Sequence, residues 1–464
     1  MVRPSDGPPG TGLPGGDPSS GSGQGFLLNV NLVFISTVAS YGLGFLAAVL
    51  MARALGDEGL GVTALYRNAV TLAFAFFSLG IATAIVYYVG RRDFTPRQAM
   101  ETGLTVTLAA TALTGLGVLI AYAAFGDELA TDEAPYWLAV IAVPAVIQFR
   151  VVEGVLRAQG RFGAMNLLEV SLPFSILLAL AFVEVTDGLT IESTVVAWTL
   201  AMLPPLIFGY GMLGIQHFPR SIALGDLLWR STRFGVQGQL GNLIQLLNLR
   251  LDAYIVLWLV NSSGVGIYAV AVSLSEGMWF IANSVGVVLL TSLTASDDES
   301  AARMTPLVCR NTLLVTGVAA LGAAAVSPII VPAIFGSQFD DSVLPFVWLL
   351  PGTIAAAGTK ILAAYVFSRG RPLINAQVGA AVLVVTIVGD LILIPPFGVP
   401  GAAAASSFAY CCGLALTSIA YRRLSGGSIG DCLLPKLSDG PLYVDGARNL
   451  ASRLLPARTS RRES

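Results

Sequence analysis

Long apolar segments separated by short polar loops are the feature that most limits how this chain can fold. Of its 464 residues, 55% are hydrophobic and 12% are charged, about half the charged share of a soluble domain. About 20 apolar helical residues are enough to cross a bilayer. We therefore predict an all-α polytopic membrane protein with about twelve transmembrane helices. These are expected near residues 27–51, 61–89, 99–124, 136–157, 165–184, 192–214, 234–260, 266–294, 306–332, 344–366, 374–394 and 400–421.

Basic residues between the segments indicate an orientation. If the N-terminus is cytoplasmic, the outer loops are mostly acidic, as at residues 127–133 and 340–341. An excess of arginine on the inner side is typical of multi-pass proteins. We expect a protein of the cell membrane with cytoplasmic N- and C-termini. The inner loops then hold Arg91, Arg92, Arg97, Arg157, Arg161, Arg220, Arg230, Arg233, Arg303, Arg310, Arg369 and Arg371.

The two halves of the chain resemble each other. Motifs recur at offsets of 205 or 210 residues, which predicts two parallel six-helix lobes related by an axis along the membrane normal. The recurring pairs are Gly160-Arg161 and Gly370-Arg371, residues 125–135 and 335–345, and residues 59–61 and 264–266.

Composition divides the chain into five parts. Residues 1–26 are rich in Gly, Pro and Ser and predict a disordered cytoplasmic tail. We place the N-terminal lobe at 27–215 and the C-terminal lobe at 234–424. Between them, 216–233 mixes apolar and basic residues, which predicts a cytoplasmic linker with an interfacial helix. Residues 425–464 form a basic cytoplasmic tail.

Four cations lie within predicted spans: Arg67, Arg150, Arg250 and Lys360. Arg150 and Lys360 are 210 residues apart, so we expect both on the inner side of one central cleft. Two converging cations suit a substrate that bears phosphate. The alternative is that each side chain extends to the nearby membrane interface, or that Arg150 pairs with Glu153 three residues later.

The seventh segment carries a polar stripe. Gln245, Asn248 and Asp252 follow helical spacing, so they share one face and are predicted to line a cavity. Arg250 lies about 200° from Asp252 around the helix and could instead pair with another helix. Glu276 in the eighth segment is expected to be a proton or sodium site, or an interhelical hydrogen-bonded residue. Asp390 and Glu169 are interpreted as structural.

Several functions lack their usual motifs. The sequence has no glycine-rich phosphate loop ending in Lys-Ser or Lys-Thr. Cys309, Cys411, Cys412 and Cys432 lack metal-ligand spacing, and His217 is the single histidine. The loops are too short to hold a catalytic domain. We expect a transporter that is not an enzyme, with no cofactor, no metal and no nucleic-acid partner.

Five stretches in this order resemble the polysaccharide flippases of the multidrug/oligosaccharidyl-lipid/polysaccharide exporter superfamily, the type that moves O-antigen and exopolysaccharide units. The resemblance covers residues 27–424. The stretches are ARALGDEGLGVTALYR (52–67), RLDAYIVLWLVNSSGVGIYAVA (250–271), FGSQFDDSVLPFVWLLPG (335–352), SRGRPLINAQ (368–377) and LIPPFGVPGAAAASSFAY (393–410).

The resemblance implies a fold like that of the multidrug exporters called MATE, with two six-helix lobes around a central cavity that opens alternately to either side of the membrane. It implies movement of polyprenyl-diphosphate-linked oligosaccharide repeat units to the outer leaflet for cell-surface polysaccharide synthesis. Glycosyltransferases or a polymerase of the same pathway would be partners. Arg67, Arg150, Arg250 and Lys360 match a cationic cavity. The alternative is a cation-coupled drug exporter of the same fold, which would rely on acidic residues such as Asp252.

Overall fold

The computed structural model is an all-α polytopic membrane protein. It describes residues 21–131, 135–223, 225–295, 297–436 and 439. Within these residues the helices are α1 (Gly21–Phe77), α2 (Ile81–Gly90), α3 (Pro96–Thr131), α4 (Ala139–Ala158), α5 (Phe162–Thr186), α6 (Ile191–Leu200), α7 (Leu203–Leu213), α8 (Asp226–Leu259), α9 (Ser262–Ala295), α10 (Asp298–Phe335), α11 (Val343–Ser368), α12 (Pro372–Phe397), α13 (Val399–Ser425) and α14 (Ile429–Leu433).

Ten helical spans of the described part are long and apolar enough to cross a membrane. Helix α1 contains the first predicted segment and much of the second, joined at a kink where Gly56 has φ 73°. The seventh predicted segment lies in α8, whose many polar residues keep it out of the apolar set. Dividing α1 at Gly56 and including α8 reconciles the ten spans with the twelve predicted segments.

Two predicted segments are interrupted. The second stops after Phe77 and restarts as α2, because Leu79 and Gly80 have φ 49° and 66°. Gly80 also lies so close to α8 that a Cβ there would be 2.3 Å from the Gly235 carbonyl oxygen. The sixth segment breaks between α6 and α7, just before Pro204. Helical periodicity predicted continuous helices at both sites.

The predicted interfacial helix is not a separate element. Residues 226–233 form the first two turns of α8, which is continuous to Leu259. No proline lies within α8, so nothing in the local sequence forces a break. The lobe boundaries at 215 and 234 remain predictions.

Helices α4 and α11 lie at the centres of their halves. Of the ten apolar spans, these two have the largest buried shares, 67% and 56% of their most apolar stretch. Val151 and Val155 of α4 and Ile361 and Leu362 of α11 are fully buried. These two helices therefore form the most buried part of their halves.

The two helices also end in the same way. Gly160 after α4 and Gly370 after α11 both have φ 71°, a conformation that favours glycine at a helix end. The backbone N–H groups of Arg161 and Arg371 each donate to the carbonyl five residues earlier, at 3.0 and 3.2 Å. The 210-residue repeat is thus reproduced in the backbone.

The halves contact each other at the end that we predict to face outward. A Cβ on Gly61 would lie 1.9 Å from the Ser262 carbonyl oxygen, and one on Gly266 would lie 1.9 Å from that of Asp57. These pairs are related by the 205-residue repeat, so equivalent turns pack on each other. The Ser263 hydroxyl also donates to the Asp57 carboxylate.

A second contact joins the halves at the opposite end. The Tyr87 ring of α2 stacks on the Phe234 ring of α8, with 4.4 Å between centroids. The Arg230 guanidinium lies 5.3 Å from the Tyr88 ring centroid. With Gly80 packed on Gly235, these groups join the halves at the end opposite the Gly61 and Gly266 contacts.

The chain after α13 folds back onto α10. The Arg310 guanidinium donates to both carboxylate oxygens of Asp439, at 2.5 and 2.6 Å, and to the Asp431 carbonyl oxygen at 3.2 Å. These hydrogen bonds lower the pKa of Asp439 below its usual value. Residues 440–464, most of the predicted basic tail, and residues 1–20 of the predicted N-terminal tail lie outside the described residues.

Candidate functional site

The interface between the halves contains a charged cluster of Arg67 on α1, Arg250 on α8 and Glu276 on α9. Arg250 Nη1 donates to Glu276 Oε1 at 3.2 Å. The α8 and α1 helices meet nearby, where the Tyr254 hydroxyl donates to the Leu65 carbonyl oxygen at 3.1 Å. The structure thus brings together two predicted cations and one predicted acid on three helices.

Arg67 is the least neutralised member of this cluster. Its Nε atom is buried and has no hydrogen-bond partner among the described residues. It lies close enough to Arg250 for the two positive charges to repel. Arg250 is paired with Glu276, whereas the buried Nε of Arg67 can still donate a hydrogen bond, which favours an anionic ligand.

Arg150 has a different environment. Its Nη1 donates to Glu153 Oε2 at 2.7 Å, and Arg157 donates to the other oxygen of the same carboxylate. The Glu153 side chain is 6% exposed, whereas the two arginine side chains are 43% and 48% exposed. The expected pairing of Arg150 with Glu153 is present. Arg150 does not line the cavity that contains Lys360.

The C-terminal half encloses a cavity of about 750 Å³. It lies between α8, α11, α12 and α13, and Trp279 of α9 also lines it. Lys360, Gln245 and Asn248 are among its lining residues. Three of the predicted site residues therefore meet in one cavity, which lies within the C-terminal half and not in a cleft shared by both halves.

Lys360 is held by neutral groups. Its Nζ donates to Asn283 Oδ1 at 2.7 Å and lies 4.6 Å from the centroid of the Trp279 ring. It has no carboxylate within ion-pair distance in the part of the chain that the structure describes. Arg150 and Lys360, which we expected in one central cleft, thus lie in separate environments.

Asp252 lines a second, small cavity together with Glu276. One of its oxygens accepts from the Tyr268 hydroxyl at 2.6 Å, and the other accepts from the Ala253 N–H at 2.9 Å. Tyr268 in turn lies 3.3 Å from the Ser406 hydroxyl. Asp252 is therefore fixed inside the C-terminal half, whereas Arg250 on the same helix binds across to Glu276.

Asp390 is a residue whose prominence the sequence did not reveal. It is 0% exposed, and both carboxylate oxygens lack a hydrogen-bond partner among the described residues. It is near enough to Asp252 for the two carboxylates to interact electrostatically. An unpartnered carboxylate is costly to bury, so it favours a bound cation or proton. The signal in the sequence was a single acid within the apolar run TIVGDLILI.

Comparisons with known proteins agree with this architecture. The chain is 21% identical over 392 residues to a curated protein of Haloferax volcanii, the probable low-salt glycan biosynthesis flippase Agl15. The match covers 82% of this chain and 79% of that protein. At this identity the relative indicates common descent but does not establish a shared substrate.

Solved structures share the fold. The lipid II flippase MurJ in an inward closed conformation has a TM-score of 0.72 and 15% identity, covering 91% of this chain and 93% of its own. A multidrug resistance MATE family transporter of the MOP superfamily, in an inward-facing conformation, has a TM-score of 0.67 and 15% identity, covering 83% and 95%. The predicted all-α, MATE-like architecture is confirmed.

The family comparison extends over more than half of the chain. Residues 26–295 match the polysaccharide biosynthesis protein family. This range includes the N-terminal half, α8 and α9, and therefore all three members of the interface cluster. The chain is a multi-pass membrane protein that belongs to the polysaccharide biosynthesis protein family, with the fold of the MOP superfamily.

Proposed function

We propose that this protein is a flippase that moves a polyprenyl-diphosphate-linked oligosaccharide from the inner to the outer leaflet of the cytoplasmic membrane. The observation that carries the proposal is the buried guanidinium of Arg67 where the halves meet, whose Nε has no hydrogen-bond partner among the described residues. Arg250 lies close enough to add a second positive charge, and a diphosphate would accept a hydrogen bond from Arg67. Arginine binds phosphate well because its planar donors match phosphate oxygens.

The relatives support this substrate class. The Haloferax protein is named as a flippase in glycan biosynthesis, and MurJ, which shares the fold, is named as a lipid II flippase. Both proteins are named as flippases, one in glycan biosynthesis and the other for lipid II. Glycosyltransferases that build the saccharide and a polymerase that extends it would act before and after this step.

Alternating access would follow from the two contacts between the halves. Separating Tyr87 from Phe234 would open the cluster to one side, and separating Gly61 from Ser262 would open it to the other. The lipid chain can remain in the hydrocarbon while the charged head group crosses between the halves. The arginine distribution supports cytoplasmic termini, so the Tyr87 contact would be the cytoplasmic one.

Movement of a charged substrate needs a driving force, and we assign its coupling to Asp252 and Asp390. Both carboxylates are buried within the C-terminal half, and the Tyr268 hydroxyl that donates to Asp252 lies 3.3 Å from the Ser406 hydroxyl. Oxygen ligands of this kind suit a proton or a hard monovalent cation. Asp252→Asn should reduce the dependence of transport on an imposed ion gradient while the protein stays in the membrane.

A deletion in the native host tests the function directly. Inverted membrane vesicles from the deletion strain should accumulate a polyprenyl-diphosphate oligosaccharide on the cytoplasmic face. The intact gene should clear it, whereas Arg67→Gln should clear it about tenfold more slowly, since a hydrogen bond to a charged group contributes about that factor. Membrane abundance of each variant is measured in parallel.

Arg303→Gln is the matched control. Arg303 pairs with Glu299 on an exposed surface, so its loss should leave clearance unchanged. Normal surface glycans without accumulation in the deletion strain, together with new sensitivity to cationic drugs, would replace the flippase proposal with the drug-exporter alternative.

A further inference from the structure

The 750 Å³ cavity of the C-terminal half has a wall with three kinds of chemistry. Most of the wall is apolar, as in a typical small-molecule site of 300–1,000 Å³. Lys360 supplies a single positive charge. Carboxamide side chains from α8 and α12 supply hydrogen-bond donors and acceptors along the cavity wall: Gln237, Asn242, Gln245, Asn248 and Asn375.

Two polar atoms of lining residues are buried without partners. Asn248 is 7% exposed, and its Nδ2 donates to the Gly379 carbonyl oxygen at 3.0 Å. Its Oδ1 has no hydrogen-bond partner among the described residues, and neither has the Trp279 Nε1. One is an acceptor and the other a donor. A ligand with hydroxyl groups can satisfy both, because a hydroxyl both donates and accepts.

The charge on Lys360 is also available to a ligand. Its direct partners are the neutral Asn283 amide and the Trp279 ring. The acid that acts on it electrostatically is Glu276, which is itself bonded to Arg250. A phosphate in the cavity would therefore meet a cation that has no carboxylate to displace.

In the N-terminal half, the positions equivalent to two cavity-lining residues carry charged side chains that pair with each other. At the 210-residue offset, Glu153 corresponds to Ala363 and Arg157 corresponds to Phe367. Ala363 and Phe367 both line the cavity, whereas Glu153 and Arg157 form an ion pair. The C-terminal half thus lacks the carboxylate that neutralises the equivalent cation.

We propose that this cavity is a binding site for a glycosyl phosphate. The phosphate lies against Lys360, and sugar hydroxyls satisfy Asn248 Oδ1 and Trp279 Nε1. The site is separate from the cluster of Arg67 and Arg250 between the halves. It deepens the flippase proposal, and as a transport step it rests on that proposal. The same chemistry is found in a lipid-linked saccharide and in a soluble nucleotide sugar.

Binding to the purified full-length protein in lipid nanodiscs tests this site. The probes are polyprenyl-diphosphate N-acetylglucosamine, polyprenyl diphosphate without sugar, and UDP-N-acetylglucosamine. Combining Asn248→Leu with Trp279→Phe should weaken binding of the glycosylated lipid at least about tenfold, because sites built to hydrogen-bond a hydroxyl depend strongly on it. The sugar-free lipid should change less than about twofold. Lys360→Met should weaken both lipids equally.

Matched variants in the N-terminal half control for general damage. Asn166 is a buried amide, 6% exposed, whose Nδ2 and Oδ1 atoms also lack partners among the described residues. Asn166→Leu and Arg157→Met make the same chemical changes outside the cavity and should leave binding unchanged. Thermal unfolding verifies that every variant is folded. Equal losses in control and cavity variants, or undiminished sugar-dependent binding in the double variant, would overturn the proposal.

The three probes also identify the source of the glycosyl phosphate. Tighter binding of the lipid-linked sugar assigns the cavity to the membrane substrate, and tighter binding of UDP-N-acetylglucosamine assigns it to a soluble one. If the wild type moves no lipid-linked saccharide yet binds sugar through Asn248, the cavity stands and the flippase proposal fails. If the wild type moves the lipid and the cavity variants bind and transport it normally, the flippase proposal stands and the cavity proposal fails.

Discussion

Helices α4 and α11 occupy equivalent places in the two halves, yet the cations that each helix carries eight residues before its end have different surroundings. Arg150 of α4 is neutralised by Glu153, which Arg157 also binds. Lys360 of α11 faces a cavity, with an asparagine and a tryptophan as its neighbours. The backbone repeat is preserved through Gly160 and Gly370, so the difference lies in the side chains.

The comparison teaches that a structural repeat need not repeat its function. Filling the N-terminal site with an ion pair makes that half a packed unit. Replacing the carboxylate by Ala363 leaves room and a free charge in the other half. We infer that the first arrangement serves stability and the second serves binding.

Converting the C-terminal site into the N-terminal kind should have the largest effect. Ala363→Glu places a carboxylate three residues after Lys360, where it can pair with the lysine and repel phosphate. We expect transport of lipid-linked saccharide in proteoliposomes to fall about a hundredfold, since like charges placed together cost several kcal/mol. Ala363→Gln adds similar bulk without charge and should retain most transport. Similar rates for the two variants would contradict a charge-based role.

Removing each cation alone should affect transport differently in the two halves. Lys360→Met should slow transport about tenfold, the contribution of a hydrogen bond to a charged group. Arg150→Met should slow it less than about twofold, because its charge is already neutralised within the protein. Transport is normalised to reconstituted protein. A larger effect at Arg150 would reverse our assignment and restore a shared cationic cleft.

Substitutions in the N-terminal half should lower the free energy of unfolding more than substitutions in the C-terminal half, the opposite of their effects on transport. Glu153→Ala leaves two arginines without their shared carboxylate, and we expect a loss of about 2 kcal/mol in the free energy of unfolding. Lys360→Met should lower it less. Chemical unfolding in detergent provides the measurement, with Glu153→Gln to separate charge from packing. An unchanged free energy of unfolding in Glu153→Ala would show that Glu153 and its ion pairs do not stabilise the N-terminal half.

The smallest expected effect is on the bond between Arg310 of α10 and Asp439. Met100 of α3 corresponds to Arg310 of α10, so the bond to Asp439 belongs to the C-terminal half. Because Arg310 lowers the pKa of Asp439, its stabilisation is fully present above the ordinary value of 3.8 and is lost as the pH falls through the lowered value. Protection of the α14 amides from hydrogen exchange, measured relative to the intrinsic rate at each pH, should stay high between about pH 5 and 8 and fall below 3.8.

Asp439→Asn should accelerate exchange of α14 already at neutral pH. Glu299→Gln, which alters an exposed pair on the same α10 helix, should not. Equal exchange rates in the two variants would show that the Arg310 bond does not hold the chain after α13.

Local patterns predicted the membrane class, the segments and the repeat, because these depend on composition and spacing. The bond between Arg150 and Glu153 was also foreseeable from helical spacing. The cavity was not, because it depends on how α8 packs against α12, where Asn248 Nδ2 donates to the Gly379 carbonyl oxygen, a tertiary contact with no local signature.

Asp390 was missed for a different reason. The predicted segment ended at residue 394, so this acid was placed near a helix end and interpreted as structural. In the structure α12 continues to Phe397, and Asp390 is fully buried. Its burial depends on tertiary packing, which the position within the segment does not reveal.

The most direct measurement is the rate at which purified protein moves a fluorescent polyprenyl-diphosphate saccharide across the bilayer of proteoliposomes, compared with a cationic dye. We predict that the wild type moves the saccharide lipid well above the protein-free rate, that Lys360→Met moves it about tenfold more slowly, and that the dye is not moved. Movement of the dye together with a saccharide rate equal to that of protein-free liposomes would contradict the account.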